Sequence, residues 1–178
     1  AAALGVGVPL VRVALTKGPA EYGAWSLMLG AAWILVAGAG ASLRAFEAAD
    51  ATGLRTAFLA WMPILGAAGL GQLFVGALTY LMPVVIGGGP SAVRIGVGVL
   101  EAGAPIREAA RNVAAVLALA VASLGGVSAE RLTIAAWVVL LATYLVDIVL
   151  LGRGGVAQAR AKRAASSSPT TTQGGRRG

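Results

Sequence analysis

The segment GQLFVGALTYLMPVVIGGGP, residues 71–90, decides the fold class. Most of it is an apolar run, and a helix of about 20 such residues crosses the roughly 30 Å of hydrocarbon in a bilayer. A glutamine, a threonine, a tyrosine and a proline interrupt the run, and three glycines and Pro90 close it. Because glycine adopts almost any backbone conformation and proline cannot continue a helix, the segment predicts a transmembrane helix that ends at the glycines.

The composition extends this prediction to the whole chain. Of its 178 residues, 58% are hydrophobic and 12% are charged, and the mean hydropathy is +0.84. Such values lie far from those of soluble domains, so we expect an all-α, polytopic transmembrane helix bundle. Cysteine and histidine are both absent. Their absence excludes disulfides, thiolate chemistry and imidazole ligation of a metal or haem within this chain.

Four to five segments are long and apolar enough to span a bilayer. They cover residues 1–16, 22–43, 57–86, 109–127 and 132–151. The first contains Arg12 and begins without a methionine or a charged lead, so we expect the chain to be a fragment of a larger membrane region. In the third, Pro63 is expected in the first turns of the helix, where a proline is tolerated.

The net charge of +7 is concentrated at one end of the chain. Residues 152–178 contain six basic and no acidic side chains, whereas the rest is nearly neutral. Serine, threonine, proline and glycine dominate the last twenty residues and cannot build a core. We therefore predict a transmembrane domain at residues 1–152 and a disordered basic tail or linker at residues 153–178. We interpret the tail as a cytoplasmic flank of the membrane domain and expect no nucleic-acid partner.

Lysine and arginine in the short loops predict the orientation, because they favour the cytoplasmic side. A cytoplasmic tail places the loop at residues 87–111, with Arg94, Arg107 and Arg111, on the inside as well. The loops at 44–55 and 125–131 then lie outside. Ten basic residues fall inside and three outside, leaving out Arg12. The sequence thus predicts a multi-pass protein of the plasma membrane, whose bilayer lipid is its first partner.

The polar residues of the opening segment lie on one stripe of its helix. At 100° per residue, Ala68, Gln72, Gly76, Thr79 and Pro83 share a face. A stripe of small and polar residues is typical of a seam along which membrane helices pack, and we favour this interpretation. The alternative is a cofactor-binding site formed by Gln72, Thr79, Tyr80 and Pro83, in which the Thr79 carbonyl, deprived of its helical donor by Pro83, accepts from a ligand.

Two segments resemble a known family. GQLFVGALTYLMPVVIGGGPSAVRIG and the later IREAARNVAAVLAL are similar to the second half of the membrane region of large actinobacterial copper proteins, namely multicopper oxidases and nitrite-reductase-like proteins with cupredoxin domains. Outside these segments the chain agrees with that region only in hydropathy and helix order. The residues that carry the resemblance are Gln72, Gly76, Ala77, Leu78, Thr79, Tyr80, Leu81, Pro83, Gly87, Gly88, Gly89, Pro90, Arg94, Arg111 and Asn112.

The resemblance implies an integral membrane module that anchors a copper oxidoreductase and serves it as an electron-transfer or cofactor platform. It implies a cupredoxin-type copper domain as partner, in the same polypeptide or as a separate chain. Since this chain has no histidine or cysteine, the family's copper ligands are not transferred to it, and we expect neither copper nor another cofactor in this chain itself. The alternative function is a fragment of a transporter or permease, in which Pro83 and Asp147 line a path.

Several other polar residues are weighed as ordinary structural groups. Asp147 lies near the end of its apolar segment, and we interpret it as a headgroup-level acid beside Arg153 rather than as an intramembrane functional carboxylate. Glu108 and Arg111 are interpreted as a surface pair. Asn112 is expected to bond a neighbouring helix, and Trp33 to pack or face lipid. We predict no catalytic residue.

Overall fold

The computed structural model of the chain describes residues 22–122 and 126–167, which form helices and short turns without a strand. The all-α prediction is confirmed. The predicted span at residues 1–16 lies outside the described ranges. The helices are α1 (Tyr22–Glu47), α2 (Ala51–Pro63), a π-helical segment (Ile64–Leu70), α3 (Gly71–Ile86), α4 (Gly89–Leu100), α5 (Ala104–Ala122) and α6 (Val127–Ser167).

Within the described ranges, three helices are long and apolar enough to cross a membrane. They are α1, α6 and the continuous helix Ala51–Ile86, which comprises α2, the π-helical segment and α3. The continuous helix begins earlier than predicted because Asp50 caps it. The Asp50 carboxylate accepts a hydrogen bond of 2.7 Å from the Gly53 N–H. Pro63 therefore lies in the middle of the helix, directly before the π-helical segment, and our placement of it in the first turns was wrong.

Glycines bring α1 against the continuous helix. A Cβ atom added to Gly30 would lie 2.8 Å from the Gly69 carbonyl oxygen, and one added to Gly76 would lie 2.8 Å from the Gly23 carbonyl oxygen. Lower-numbered residues of α1 contact higher-numbered residues of the continuous helix, so the two helices are antiparallel. Small residues permit this close backbone approach, as is usual between membrane helices.

Helices α4 and α5 together run antiparallel to α6, where we had predicted a loop at residues 87–111. Gly88 lies against Lys162 and Gly96 against Gln158, and Arg111 contacts Thr143 further along. The turn between α4 and α5 includes Gly103, whose φ of 65° favours glycine. The described part of the chain thus passes up and down four times, as α1, Ala51–Ile86, α4 with α5, and α6.

Helix α6 continues fifteen residues beyond the predicted domain end and reaches Ser167. Its extension satisfies the carbonyl groups that end α3. The Gln158 amide donates to the carbonyl oxygens of Pro83 (2.8 Å) and Gly87 (2.9 Å), and the Lys162 ammonium donates to that of Ile86 (2.8 Å). The first part of the predicted disordered tail is therefore helical, and residues from 168 onward lie outside the described ranges.

The core is built largely from small residues, while large apolar side chains point outward. Its central cluster comprises Trp33, Ala37, Ile64, Ala68, Ala114, Ala115 and Leu140. Leu145, Val149 and Val138 of α6 are all more than half exposed. An apolar exterior around a close-packed interior of alanine and glycine suits a bundle whose surroundings are lipid.

Candidate functional site: a buried ion-pair network

Four charged side chains are buried where α1, α5 and α6 meet. Arg107, Glu108 and Arg111 project from α5, and Asp147 projects from α6; their exposed fractions are 7%, 7%, 0% and 2%. Two positive and two negative charges make the set neutral. We call these four residues and their hydrogen-bond partners the ion-pair network. Charges are rarely buried unless they are paired, so the network is the most unusual polar feature of the bundle.

Asp147 lies at the centre of the network. Its carboxylate accepts a hydrogen bond of 2.8 Å from the Tyr22 hydroxyl and another from the Arg111 guanidinium. The Arg107 Nε atom forms an ion pair with it at 2.9 Å. One carboxylate thereby joins α1, α5 and α6.

Glu108 holds the second negative charge. The Ser26 hydroxyl donates to it at 2.5 Å, and the Asn112 amide lies within 3.3 Å of its other oxygen. Arg111 is 3.6 Å away as an ion-pair partner. Glu108 therefore links α1 to α5, one helical turn before the arginine that neutralises it.

The two arginines are fixed by contacts on several sides. Arg111 donates from Nε to the Thr143 hydroxyl at 3.0 Å, and its guanidinium carbon lies 4.2 Å from the centre of the Tyr144 ring. Arg107 lies 4.5 Å from the centre of the Tyr22 ring and donates to the Leu100 carbonyl, which ends α4, at 2.6 Å. The guanidinium groups thus satisfy carboxylates, a helix end and aromatic faces together.

A neutral extension carries the network to α3. The Asn112 side-chain oxygen accepts hydrogen bonds from Trp33 Nε1 at 2.7 Å and from Gln72 Nε2 at 3.2 Å. Asn112 thus bonds neighbouring helices, and Trp33 is packed, as predicted. The two segments that resemble the copper-protein membrane region meet here. Gln72 comes from the first segment, and Arg111 and Asn112 come from the second.

The predicted stripe on the third segment is buried throughout. Ala68, Gln72, Gly76, Thr79 and Pro83 all lie in the interior, which agrees with a packing seam. The four residues of the alternative cofactor site have different neighbours, however. Thr79 donates to the Val75 carbonyl of its own helix, the Pro83 carbonyl accepts from Gln158, and Tyr80 is 45% exposed beside Gly23.

Two of our interpretations of charged residues were wrong. Asp147 does not lie at headgroup level beside Arg153 but is buried with Arg107 and Arg111. Glu108 and Arg111 are a buried pair, not a surface pair. A sequence signal did exist: Arg107 and Arg111, four residues apart, share one helix face, and an acid in a neighbouring apolar helix is their natural partner.

A groove between α1 and α5 runs alongside the network. It consists of two cavities of about 560 Å³ and 570 Å³ that share Leu29 and Asn112. Tyr22, Trp25 and Glu108 line the first cavity, and mainly apolar side chains line the second. The arrangement suits an apolar ligand whose polar end donates a hydrogen bond to Glu108 or exchanges one with Asn112.

Metal ligands do not gather in the ranges 22–122 and 126–167, where no group of three or more histidine, cysteine, aspartate or glutamate side chains could hold an ion. The carboxylates of Glu108 and Asp147 are instead engaged by arginine. Comparison with protein-family models, with curated proteins and with solved structures gave no match.

Proposed function

We propose that this chain is a multi-pass membrane module that anchors a copper oxidoreductase and provides a platform beside its copper domain. One observation carries the proposal: Gln72, Arg111 and Asn112, which belong to the two segments that resemble copper-protein membrane regions, meet in or beside the ion-pair network. A chance similarity in hydropathy would not bring polar residues of two distant segments into contact. Their contact supports the view that both segments belong to one type of membrane domain.

The proposal includes four membrane crossings within the described part of the chain, with α4 and α5 together making the third. Arg107 and Arg111 are buried in pairs and no longer count as loop charges, so eight basic residues remain at the proposed inner side and three at the outer side. This bias supports a plasma-membrane protein with a cytoplasmic C-terminus. Copper would be held by the partner cupredoxin domain.

The platform role rests on the groove between α1 and α5. A lipid-soluble cofactor would enter it from the side and set its polar end at Glu108 and Asn112, with its hydrocarbon along Leu29. The ion-pair network would keep Glu108 in place and hold its charge balanced by Arg111. The proposed module therefore contributes position and hydrogen bonding, while the redox chemistry belongs to its partner.

The transporter alternative receives less support. Of the two residues on which it depended, Asp147 is paired with two arginines, and Pro83 is packed in the interior beside Gln158. A path that used them would have to break these contacts in every cycle.

The test is to add an affinity tag after Gly178, to isolate the chain in mild detergent from the cells that normally make it, and to measure copper per chain. Copper should accompany the wild-type chain and the Arg131→Met variant, which changes an exposed arginine of α6. It should be lost with Arg111→Met, which breaks the network. The proposal is wrong if membranes that contain copper oxidase activity yield a tagged chain without copper.

A further inference from the structure

A second charged site lies in the C-terminal half of α6. A cavity of about 400 Å³ opens between α4 and α6, lined by Val99, Gly152, Arg153, Val156, Ala157 and Arg160. It belongs to neither the groove nor the ion-pair network, because it shares no residue with them. Its lining combines two positive charges with small and apolar side chains and contains no acid.

Both arginines are available to a ligand. Arg153 and Arg160 are exposed, and neither forms an ion pair with any carboxylate in the described part of the chain. They lie seven residues apart, which is two helical turns or about 10.5 Å along one face of α6. Two long guanidinium side chains on one face can close on a single anion between them, and guanidinium geometry suits phosphate oxygens.

The lining also has an apolar part. Val156 is 51% exposed and lies between the two arginines, and Ile95 of neighbouring α4 is 48% exposed. The apolar run of α6 ends at Leu151, so Arg153 stands where the hydrocarbon gives way to the headgroup layer. The cavity therefore spans the depth at which a phospholipid carries its phosphate and begins its acyl chains.

We propose that this cavity is a binding site for an acidic phospholipid. Arg153 and Arg160 hold the phosphate, and the acyl chains descend from Val99 along the apolar run of α6 that ends at Leu151. Two positive charges and no acid in the lining favour a lipid with net negative charge over a zwitterionic one, whose choline group would meet only arginine. The site does not depend on the proposed function, since any membrane protein with this surface would bind such a lipid.

The experiment compares lipid binding to the purified full chain by native mass spectrometry, with phosphatidylglycerol and phosphatidylcholine as probes. The double variant Arg153→Gln/Arg160→Gln should bind phosphatidylglycerol more weakly by about five-fold for each arginine removed, and phosphatidylcholine should be little affected. Arg94→Gln/Arg163→Gln is the matched control, because it removes two exposed charges near the same end from outside the cavity. It should bind like the wild type.

Three outcomes would overturn the proposal. Equal losses in both double variants would mean that phosphatidylglycerol responds to net charge alone. Displacement of the lipid by equimolar inorganic phosphate would identify a site for free phosphate rather than for a lipid headgroup. Unchanged binding in Arg153→Gln/Arg160→Gln, with an unfolding temperature equal to that of the wild type, would show that the cavity holds no lipid.

Discussion

At the scale of single residues, Asp147 is the carboxylate through which α1, α5 and α6 are joined. It balances two arginines and accepts a hydrogen bond from α1. A buried pair contributes little compared with an apolar substitute, but removing one partner leaves a charge that nothing compensates. We therefore expect the network to act mainly on specificity, because helices out of register would leave these charges unpaired in an apolar interior.

Asp147→Asn should destabilise the protein by about 3–5 kcal/mol, because it leaves Arg107 and Arg111 with one carboxylate between them. The free energy of unfolding, measured in detergent by denaturant titration, gives this value. Glu130→Gln is the control, since Glu130 is an exposed acid of the same helix. A stable Asp147→Asn protein would mean that the arginines reach solvent or another partner.

Gln72→Leu should cost far less, roughly 0.6 kcal/mol, the usual size of one hydrogen bond between membrane helices. Gln72 is fully buried and its amide bonds Asn112. A double-mutant cycle with Asn112→Leu isolates that bond from the contact between Asn112 and Trp33. Strictly additive effects of the two substitutions would show that the pair is not coupled.

At the scale of helices, the glycine contacts fix how closely α1 and α3 approach. A leucine at position 76 would push a side chain into the Gly23 carbonyl, since even a Cβ atom there lies 2.8 Å from it. Gly76→Leu should therefore lower the unfolding temperature in detergent sharply. Gly38→Leu should not, because a Cβ atom on Gly38 meets nothing within 4 Å. If both substitutions lowered the unfolding temperature equally, the loss would come from replacing a glycine in a helix and not from the contact with Gly23.

The GGGP run shows what sequence could and could not predict about the helices. It correctly marked the end of α3, where Gly87, Gly88 and Gly89 adopt φ angles of 65°, 105° and 81°. The same run also starts a helix, because proline is favoured in a first helical turn. Pro90 lies in the first turn of α4. We treated the proline only as a stop, and α4, with its glycines and Arg94, was therefore predicted as loop.

At the scale of the whole molecule, the four passes predict where fused reporters will lie. A fluorescent protein fused after Gly178 should be bright, because a cytoplasmic end lets it fold there. Alkaline phosphatase inserted at Gly126, between α5 and α6, should be active only outside. In the proposed orientation, the basic residues near the C-terminal end stay on the cytoplasmic side because they resist translocation. Active phosphatase at Gly178 and an inactive insertion at Gly126 would reverse the proposed topology.

Composition predicted the bundle, but not the network at its centre. Hydropathy locates apolar helices because every membrane helix needs apolar side chains, whether it contacts lipid or another helix. Partner choice is different: Asp147 meets Tyr22 and Arg111, which are 125 and 36 residues away in the chain. No local pattern encodes those distances. The small-residue stripe was predictable as a seam, whereas its partner, α1, became known only from the glycine contacts.

The π-helical segment Ile64–Leu70 has a consequence for the register of the continuous helix. On the continuous helix, Trp61, Gly69 and Gly76 meet α1 at intervals of eight and then seven residues, so the first interval contains one residue more than two α-helical turns require. The wide turns absorb that extra residue, and both halves of the helix keep the same face toward α1. A helix that fits its partner with this extra residue in its wide turns should also fit without it. Deleting Gly66, where an added Cβ atom would meet nothing within 4 Å, should leave an unbroken α-helix that still fits its partner. Deleting Gly76 should instead rotate Tyr80 away from Gly23 and Pro83 away from Gln158.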